Sequence, residues 1–496
     1  MQILLDPGIS PIYKGVLLFF FGINIILAFI IIFLDRDRRD ATSTWAWLLL
    51  LFVMPILGFI LYIFLGRTVK LKSSYYSSKG DNVEDSRQRA KNQIEKSTNH
   101  VLADDDPITK KHEDIVHSLL VKDQSFLSNN NHVDIFTDGH DLFNQMKEDL
   151  RNAQNYIHME YYILEFEGIG KEIVEILEQK AKEGLEVKLL YDAVGSKNLH
   201  KYKFKEFQED GGQVEAFFKA RFIPLLNFRV NNRNHRKILV IDGKKGYVGG
   251  FNIGDEYLGL DEKIGYWRDS HLRIQGDGVD ALQLSFIEDW NSQTNNEQLG
   301  FADKYFPDNA YPGGNVMLQL GLSGPSDVWH QIEFGYLKMI MSAKESIYIH
   351  TPYFVPDKGY INALRIAVKS GIDVQMIIPN KPDQPLVHWA TLSCVAELIQ
   401  DGVKVYTYEN GFIHSKMMII DGEVSSVGSA NMDVRSFELN FEVNAFIYNE
   451  DIATQLTEAF KKDLQVSKAL TKERYDKRSG WVKFKQSIAK LASPIL

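Results

Sequence analysis

A chain of 496 residues exceeds what one hydrophobic core usually organises, so two or three domains are expected, and 45% apolar with 24% charged residues excludes a disordered polymer. The net charge of −9 argues against a general nucleic-acid binder, which normally carries a basic face strong enough to turn the sum positive. The single cysteine, Cys394, excludes an intramolecular disulfide and a cysteine-cluster metal site; its simplest reading is a small buried apolar group in a reducing compartment.

The first elements are apolar. Residues 15–34 read GVLLFFFGINIILAFIIIFL with Asn24 as the one polar interior residue, and at about 1.5 Å per residue they are long enough to cross a hydrocarbon core about 30 Å thick. After DRDRRDATST comes a second stretch, Trp45 to Leu65, with interfacial aromatics Trp45, Trp47 and Tyr62 and a kink at Pro55 that lipid tolerates. A cleaved signal peptide fits poorly, because the first run is too long, lacks a small-residue cleavage site and is followed at once by another apolar run. Residues 1–66 are therefore predicted to form a two-span transmembrane hairpin that returns the chain to the side of its N-terminus. Arg36, Arg38 and Arg39 lie between the runs, against Lys14, Arg67, Lys70 and Lys72 outside them; the expectation is a multi-pass protein of the cell membrane with its remaining mass in the cytoplasm. Residues 67–119 are polar and read as a linker with some helix.

Beyond the linker the chain repeats itself. YIHMEYYIL at Tyr156 returns as YIHTPYFVP at Tyr348, AKEGLEVKLLYD at Ala181 as VKSGIDVQMIIP at Val368, and EDGGQVEAFF at Glu209 as QDGVKVYTYE at Gln400. The offset stays at roughly 180 to 190 positions, the mark of a duplicated domain. In the first copy a strand near Tyr156, a helix over KEIVEILEQKAKEG, a strand at EVKLLYD and a further helix before QVEAFF alternate, the pattern of a parallel sheet covered by helices. The predicted fold is α/β: two like lobes, 120–310 and 311–470, in a pseudo-twofold arrangement, then a tail over 471–496.

The fourth match carries chemistry. NHRKILVIDGKKGYVGGFN begins at Asn234 and HSKMMIIDGEVSSVGSAN at His414. Residues two apart share a strand face, so His235 and Lys237 project together while Arg236, Ile238 and Val240 turn away. Asp242 and Gly243 form a turn, and the small pair Gly249 and Gly250 lets backbone and the Asn252 amide approach a ligand. His414, Lys416, Asp421, Gly428, Ser429 and Asn431 occupy the same places. A lone HxK has no value as evidence, but HxKxxxxD, a small pair, one residue and Asn, twice in matching halves, is specific.

With NNRNHRKILVIDG, YVGGFNIGDEYLG and GYWRDSHLRI in one half, and GFIHSKMMIIDG and GSANMDVRSFELNFEVNAF in the other, the chain resembles the phospholipase D superfamily and looks most like its bacterial cardiolipin synthases. The match covers essentially everything after the linker, and both motifs are intact. A phosphodiester is anionic and resists nucleophiles, so its cleavage needs donors on the nonbridging oxygens and an acid for the leaving alkoxide. Lys237 and Lys416, aided by Asn252 and Asn431, can neutralise that charge with no metal or other cofactor, and two imidazoles can act as nucleophile and acid. The resemblance implies a catalytic set of His235, Lys237, Asp242, His414, Lys416 and Asp421, with Asp242 and Asp421 anchoring the motif loops. One histidine becomes phosphorylated and the other serves as acid and base; His235 as nucleophile follows the commoner pattern, and the reverse stays open. Asp269 and Glu442 read as carboxylates that hold the imidazole tautomers, or as a structural ion pair.

The implied reaction moves a phosphatidyl group from one phosphatidylglycerol to another, giving cardiolipin and glycerol. Phosphatidylglycerol and anionic membrane lipid are then the partners, and nucleic acid is not. A membrane-bound hydrolase is the alternative, since no position separates water from glycerol as acceptor; an inactive scaffold predicts erosion of a motif, which the sequence does not show. In the tail, Trp481, Phe484, Ile488 and Leu491 recur at near-helical spacing among Lys483, Lys485 and Lys490, reading as a basic amphipathic helix that lies on anionic lipid or packs its stripe on the lobes.

Overall fold

The structure, a computed structural model, describes residues 10–34, 41–65, 93, 106–123, 125–199, 201–218, 232–294, 298–300, 302–325 and 330–491. It divides into two compact units, one built on the N-terminal 70 residues and one carrying nearly all the rest.

In the N-terminal unit the helix Pro11–Leu34 packs Leu27 and Ile31 against Trp47, Leu51 and Tyr62, while Phe19, Ile26, Trp45 and Phe52 point outward and exposed. An apolar exterior of this kind is what a lipid solvent favours. Among the described residues only the first helix, over Pro11–Phe29 with mean hydropathy 2.1, is long and apolar enough to cross a membrane. The second apolar stretch is helical in two pieces, Ala41–Val53 and Pro55–Leu65. Proline has no N–H for the carbonyl four residues back, which is that of Leu51. The Asn24 amide fills the gap, donating to Leu51 O at 3.0 Å and Pro55 O at 2.9 Å. The one polar residue of the first run thus satisfies the break in the second.

The larger unit is one long sheet. The first lobe contributes β1 (Ser128–Phe136), β2 (Tyr156–Tyr161), β3 (Glu186–Asp192), β4 (Gln213–Phe217), β5 (Ile238–Ile241), β6 (Lys245–Gly249), β7 (Trp267–Arg268) and β8 (His271–Gln275). The second contributes β9 (Val316–Ser323), β10 (Ser346–His350), β11 (Phe354–Val355), β12 (Asp373–Pro379), β13 (Lys404–Tyr408), β14 (Phe412–Ile413), β15 (Met417–Ile420), β16 (Val424–Gly428), β17 (Met432–Asp433), β18 (Glu442–Tyr448) and β19 (Ser467–Ala469). The main sheet runs β19-β13-β12-β10-β15-β16-β18-β9-β1-β8-β6-β5-β2-β3-β4. Apart from β19 it reads the same from either edge once each strand is exchanged for its repeat partner, and the two lobes meet where β1 pairs antiparallel with β9. The duplication is therefore structural.

The parallel sheet expected from the sequence accounts for β2-β3-β4 and β10-β12-β13 only. The strands after the motif histidines enter antiparallel, because the short connections Asp242–Lys244 and Asp421–Glu423 can only fold a strand back on itself. Asp242 and Asp421 both adopt φ of 54°, and Gly243 and Gly422 follow at 66° and 68°, the paired positive φ of a tight hairpin turn. One core lies on the outer face of each lobe. A third is common to both, with Phe286 and Trp290 of the helix Val279–Gln293 in the same cluster as Phe441, Leu456 and Phe460. Of the stretch read as linker, the helix Glu113–Asp123 buries Ile115, Val116 and Leu119 in the core of the second lobe.

Candidate active site

Each motif histidine precedes its strand and is stitched to the opposite lobe. His235 N donates to Phe441 O at 2.9 Å and Phe441 N to Arg233 O at 2.8 Å. On the other side β14 pairs parallel with β7, and His414 N donates to Arg268 O at 2.7 Å. These backbone bonds set each ring beside a carboxylate of the other lobe: His235 Nδ1 lies 3.0 Å from Glu442 Oε2, and His414 Nδ1 lies 2.7 Å from Asp269 Oδ2. A carboxylate there fixes the proton on Nδ1 and leaves Nε2 of each ring to meet a substrate. Asp269 and Glu442 thus each lie beside the histidine of the lobe they do not belong to.

The carboxylates are themselves held. Ser429 Oγ donates to Glu442 Oε2, Asn440 Nδ2 to Oε1 at 3.1 Å, and Ser270 N to Asp269 Oδ1 at 2.8 Å. Ser270 and Ser415 link their hydroxyls across the lobes at 2.8 Å. Lys237 Nζ donates to His235 O at 2.5 Å, and Lys416 Nζ donates to His414 O. Lys416 Nζ also lies 2.8 Å from His414 Nδ1; one ring nitrogen cannot both donate and accept, so Asp269 keeps that proton and the ammonium is held by the carbonyl.

All these groups are buried. Burial lowers the His235 imidazole to about 4, against the pull of Glu442, and lowers that of His414 as well, against the pull of Asp269. Burial also brings the Lys237 ammonium down to about 7 and that of Lys416 to about 8. Burial pushes the Glu442 carboxyl upward, but the adjacent His235 and Lys237 more than reverse it; Lys416 and His414 do the same for Asp269. The charge of Lys416 acts on both His235 and Lys237, and that of Glu442 on Lys416, so the two motifs share one electrostatic site. Tyr162 sets its ring 4.7 Å from that of His235, and Trp267 lies 5.1 Å from His414.

Asp242 and Asp421 are not brought into this cluster. They lie at the far ends of β5 and β15, where each carboxylate accepts three backbone N–H bonds: Gln154, Asn155 and Tyr156 for Asp242, and Lys344, Glu345 and Ser346 for Asp421, all at 2.7–2.9 Å. Asn252 accepts from Ile163 N at 3.2 Å and donates to the Tyr257 hydroxyl at 3.0 Å. Asn431 is buried with no hydrogen-bond partner for Oδ1 among the described residues. The glycine pair is used differently from expectation. A Cβ at Gly249 would stand 2.5 Å from His271 Cα and one at Gly250 would stand 2.0 Å from Asp269 Oδ1, so the small residues make room for protein side chains, one of them the carboxylate behind His414.

Sequence reasoning missed the support behind His235. Arg236 pairs with Asp289 at 2.7 Å, and Asn234 links the same group to Glu160. Strand alternation pointed Arg236 away from the motif face, and nothing near it in the chain indicates Asp289, 53 positions on. Tyr162 had a signal, since it lies within the first match of the repeat.

The family profile for the cardiolipin synthase PLD-like domain matches residues 146–290 and 336–464, and that for the phospholipase D-nuclease N-terminal region matches 22–67. Cardiolipin synthase 1 of Staphylococcus epidermidis is 58% identical over 473 residues, covering 95% of this chain and 96% of that protein. Cardiolipin synthase 1 of Staphylococcus aureus strain COL is 56% identical over 496 residues, the full length of both. Among solved structures, phosphatidylserine synthase from Haemophilus influenzae shares the fold with a TM-score of 0.57 at 16% identity, over 73% of this chain and 95% of that one.

Proposed function

The chain belongs to the cardiolipin synthase family of the phospholipase D superfamily and is a phosphatidyltransferase, and we propose that its paired histidines perform the transfer as a two-step exchange on one phosphorus. His235 Nε2 attacks the phosphorus of a first phosphatidylglycerol, forming a P–N bond as the P–O bond to the headgroup glycerol breaks. His414, taking a proton on Nε2 as the anionic phosphodiester binds while Asp269 holds its Nδ1, gives that Nε2 proton to the departing glycerol and is left neutral. A second phosphatidylglycerol then presents its glycerol hydroxyl, His414 takes that proton back, and the new oxygen displaces His235 to give cardiolipin.

The single observation that carries this reading is the exchange of carboxylates: Glu442 on His235 and Asp269 on His414 occupy Nδ1 of each ring and leave Nε2 for the phosphodiester, to attack in His235 and to carry a proton in His414. Lys237 and Lys416 neutralise the nonbridging oxygens, with the Asn431 amide as a further donor. Asp242 and Asp421 act as anchors of the strand ends. One phosphodiester replaces another, so the exchange needs no nucleotide, and the buried rings keep water from the intermediate.

The same reading makes residues 1–66 a two-span hairpin of the cell membrane, which the Asn24 bonds between its helices support, and sets both lobes in the cytoplasm. Purified protein in phosphatidylglycerol vesicles is expected to release glycerol and accumulate cardiolipin, and His235→Ala or His414→Ala to abolish both. Phosphatidic acid as the sole product would replace this reading with the hydrolase.

A further inference from the structure

The tail resolves a choice that sequence left open. The helix Gly480–Leu491 docks on the second lobe through its Gln486 and Ala489 side, both buried, while Lys490 pairs with Glu397 of the helix Pro385–Asp401. Its apolar stripe is turned the other way. Trp481, Phe484 and Ile488 are 64%, 55% and 48% exposed, and the two aromatic rings stack on each other at 5.6 Å. Lys485 Nζ stands 4.8 Å over the Trp389 ring and 5.4 Å from that of Trp481. Trp389 lies near the start of the helix Pro385–Asp401, close to Leu386, which is 40% exposed. That start is also the active-site side: Asp383, just before it, bonds the Tyr353 hydroxyl and its charge acts on both His414 and Lys416.

The geometry points to a membrane-docking surface: Trp481, Phe484, Ile488 and Leu386 enter the interface of a phosphatidylglycerol-containing bilayer and bring the active-site mouth to the plane of its headgroups. Charge selects the occupant. Residues 471–491 hold seven lysines and arginines against two acids, in a chain whose sum is −9; aromatic and aliphatic side chains bordered by lysine fit an anionic lipid surface. The inference rests on phosphatidylglycerol as substrate, but its test needs no turnover.

Cys394 is the single cysteine and is buried, so Cys394→Ala with Phe484→Cys gives the full-length protein one nitroxide site. Cys394→Ala with Tyr202→Cys, on an exposed residue of the first lobe, supplies a control. In phosphatidylglycerol vesicles the label at 484 is expected to gain collisions with dissolved oxygen and lose them with a water-soluble nickel chelate, while the label at 202 stays in water. In phosphatidylcholine vesicles the effect should weaken. A label at 484 that stays as chelate-accessible as that at 202 overturns the proposal, and spin–spin broadening between labels at 484 overturns it in favour of a second copy of the chain. Trp481→Ser, Phe484→Ser and Ile488→Ser together should raise KM for vesicle phosphatidylglycerol by about fivefold or more with kcat held, and leave both constants unchanged on a short-chain, monomeric substrate. A KM unmoved on vesicles refutes the surface.

Discussion

Glu442→Gln tests the proposed chemistry at its most specific contact. When His235 Nε2 bonds phosphorus, the ring keeps its Nδ1 proton and becomes a cation facing Glu442 across 3.0 Å. At an effective dielectric of about 20, unit charges at that separation attract by about 5 to 6 kcal/mol, and each 1.36 kcal/mol is a factor of about ten in rate. Glutamine removes that attraction. It also disturbs the tautomer: if its carbonyl keeps the Asn440 bond, its NH2 is left facing Nδ1 and places the proton on the nitrogen that must attack. The expected loss in kcat is about 10³- to 10⁴-fold, with KM little changed and the melting temperature held, because the amide matches the carboxylate in shape. The assay follows glycerol release and cardiolipin formation in phosphatidylglycerol vesicles, with thermal unfolding recorded in parallel. A stable variant within tenfold of the parent would show that Glu442 does not act on the reacting histidine.

Three further outcomes are expected. In the free enzyme, kcat/KM should fall as pH rises through about 7 to 8, where Lys237 and Lys416 lose their protons, and fall on the acid side near about 4, where His235 gains one; a profile flat from about pH 6 to about pH 10 contradicts this. Asp242→Ala and Asp421→Ala each strand three backbone donors at a strand end, so each should cost about 2 to 4 kcal/mol in denaturant unfolding while the folded fraction turns over normally; loss of kcat without loss of stability would return these residues to the chemistry. Burial and the neighbouring Asp289 raise the Glu160 carboxyl, and glutamine keeps an acceptor for the Asn234 amide, so Glu160→Gln should shift stability by less than about 1 kcal/mol, whereas Asp289→Asn deprives buried Arg236 of its carboxylate and should cost about 3 to 5 kcal/mol.

Local patterns in the sequence were enough to recover the repeat, the paired motif and the apolar N-terminus, because period-2 faces, turn residues and long apolar runs are properties of neighbouring residues. What depends on distant residues was not recoverable. Gly250 reads as space for a ligand until Asp269 is seen filling it. Pro55 reads as a mere kink until Asn24 is found bonding the carbonyl it frees. The tail showed its amphipathic face, but which side meets the lobes is decided by Ala489 and Gln486 against a helix about ninety positions earlier. The same limit hid Asp289 behind Arg236.

The reciprocal carboxylates explain why the lobes must act together. A single lobe carries a histidine and a lysine but lacks the group that sets its tautomer, since Glu442 serves His235 and Asp269 serves His414. The antiparallel pairing of β1 with β9 and the two backbone crossings at Phe441 and Arg268 hold that exchange in register. Near-twofold symmetry then gives both imidazoles the same kit: burial, an ammonium two residues on, an aromatic ring and a carboxylate on Nδ1. A reaction that passes a phosphatidyl group out and back through one phosphorus needs such a matched pair, because the group that protonates the first alcohol must deprotonate the second. The asymmetry lies one layer out, where Glu442 takes bonds from Ser429 and Asn440 side chains while Asp269 takes one from the Ser270 backbone. Two side-chain donors thus orient the carboxylate that faces His235, where one backbone donor orients the carboxylate that faces His414.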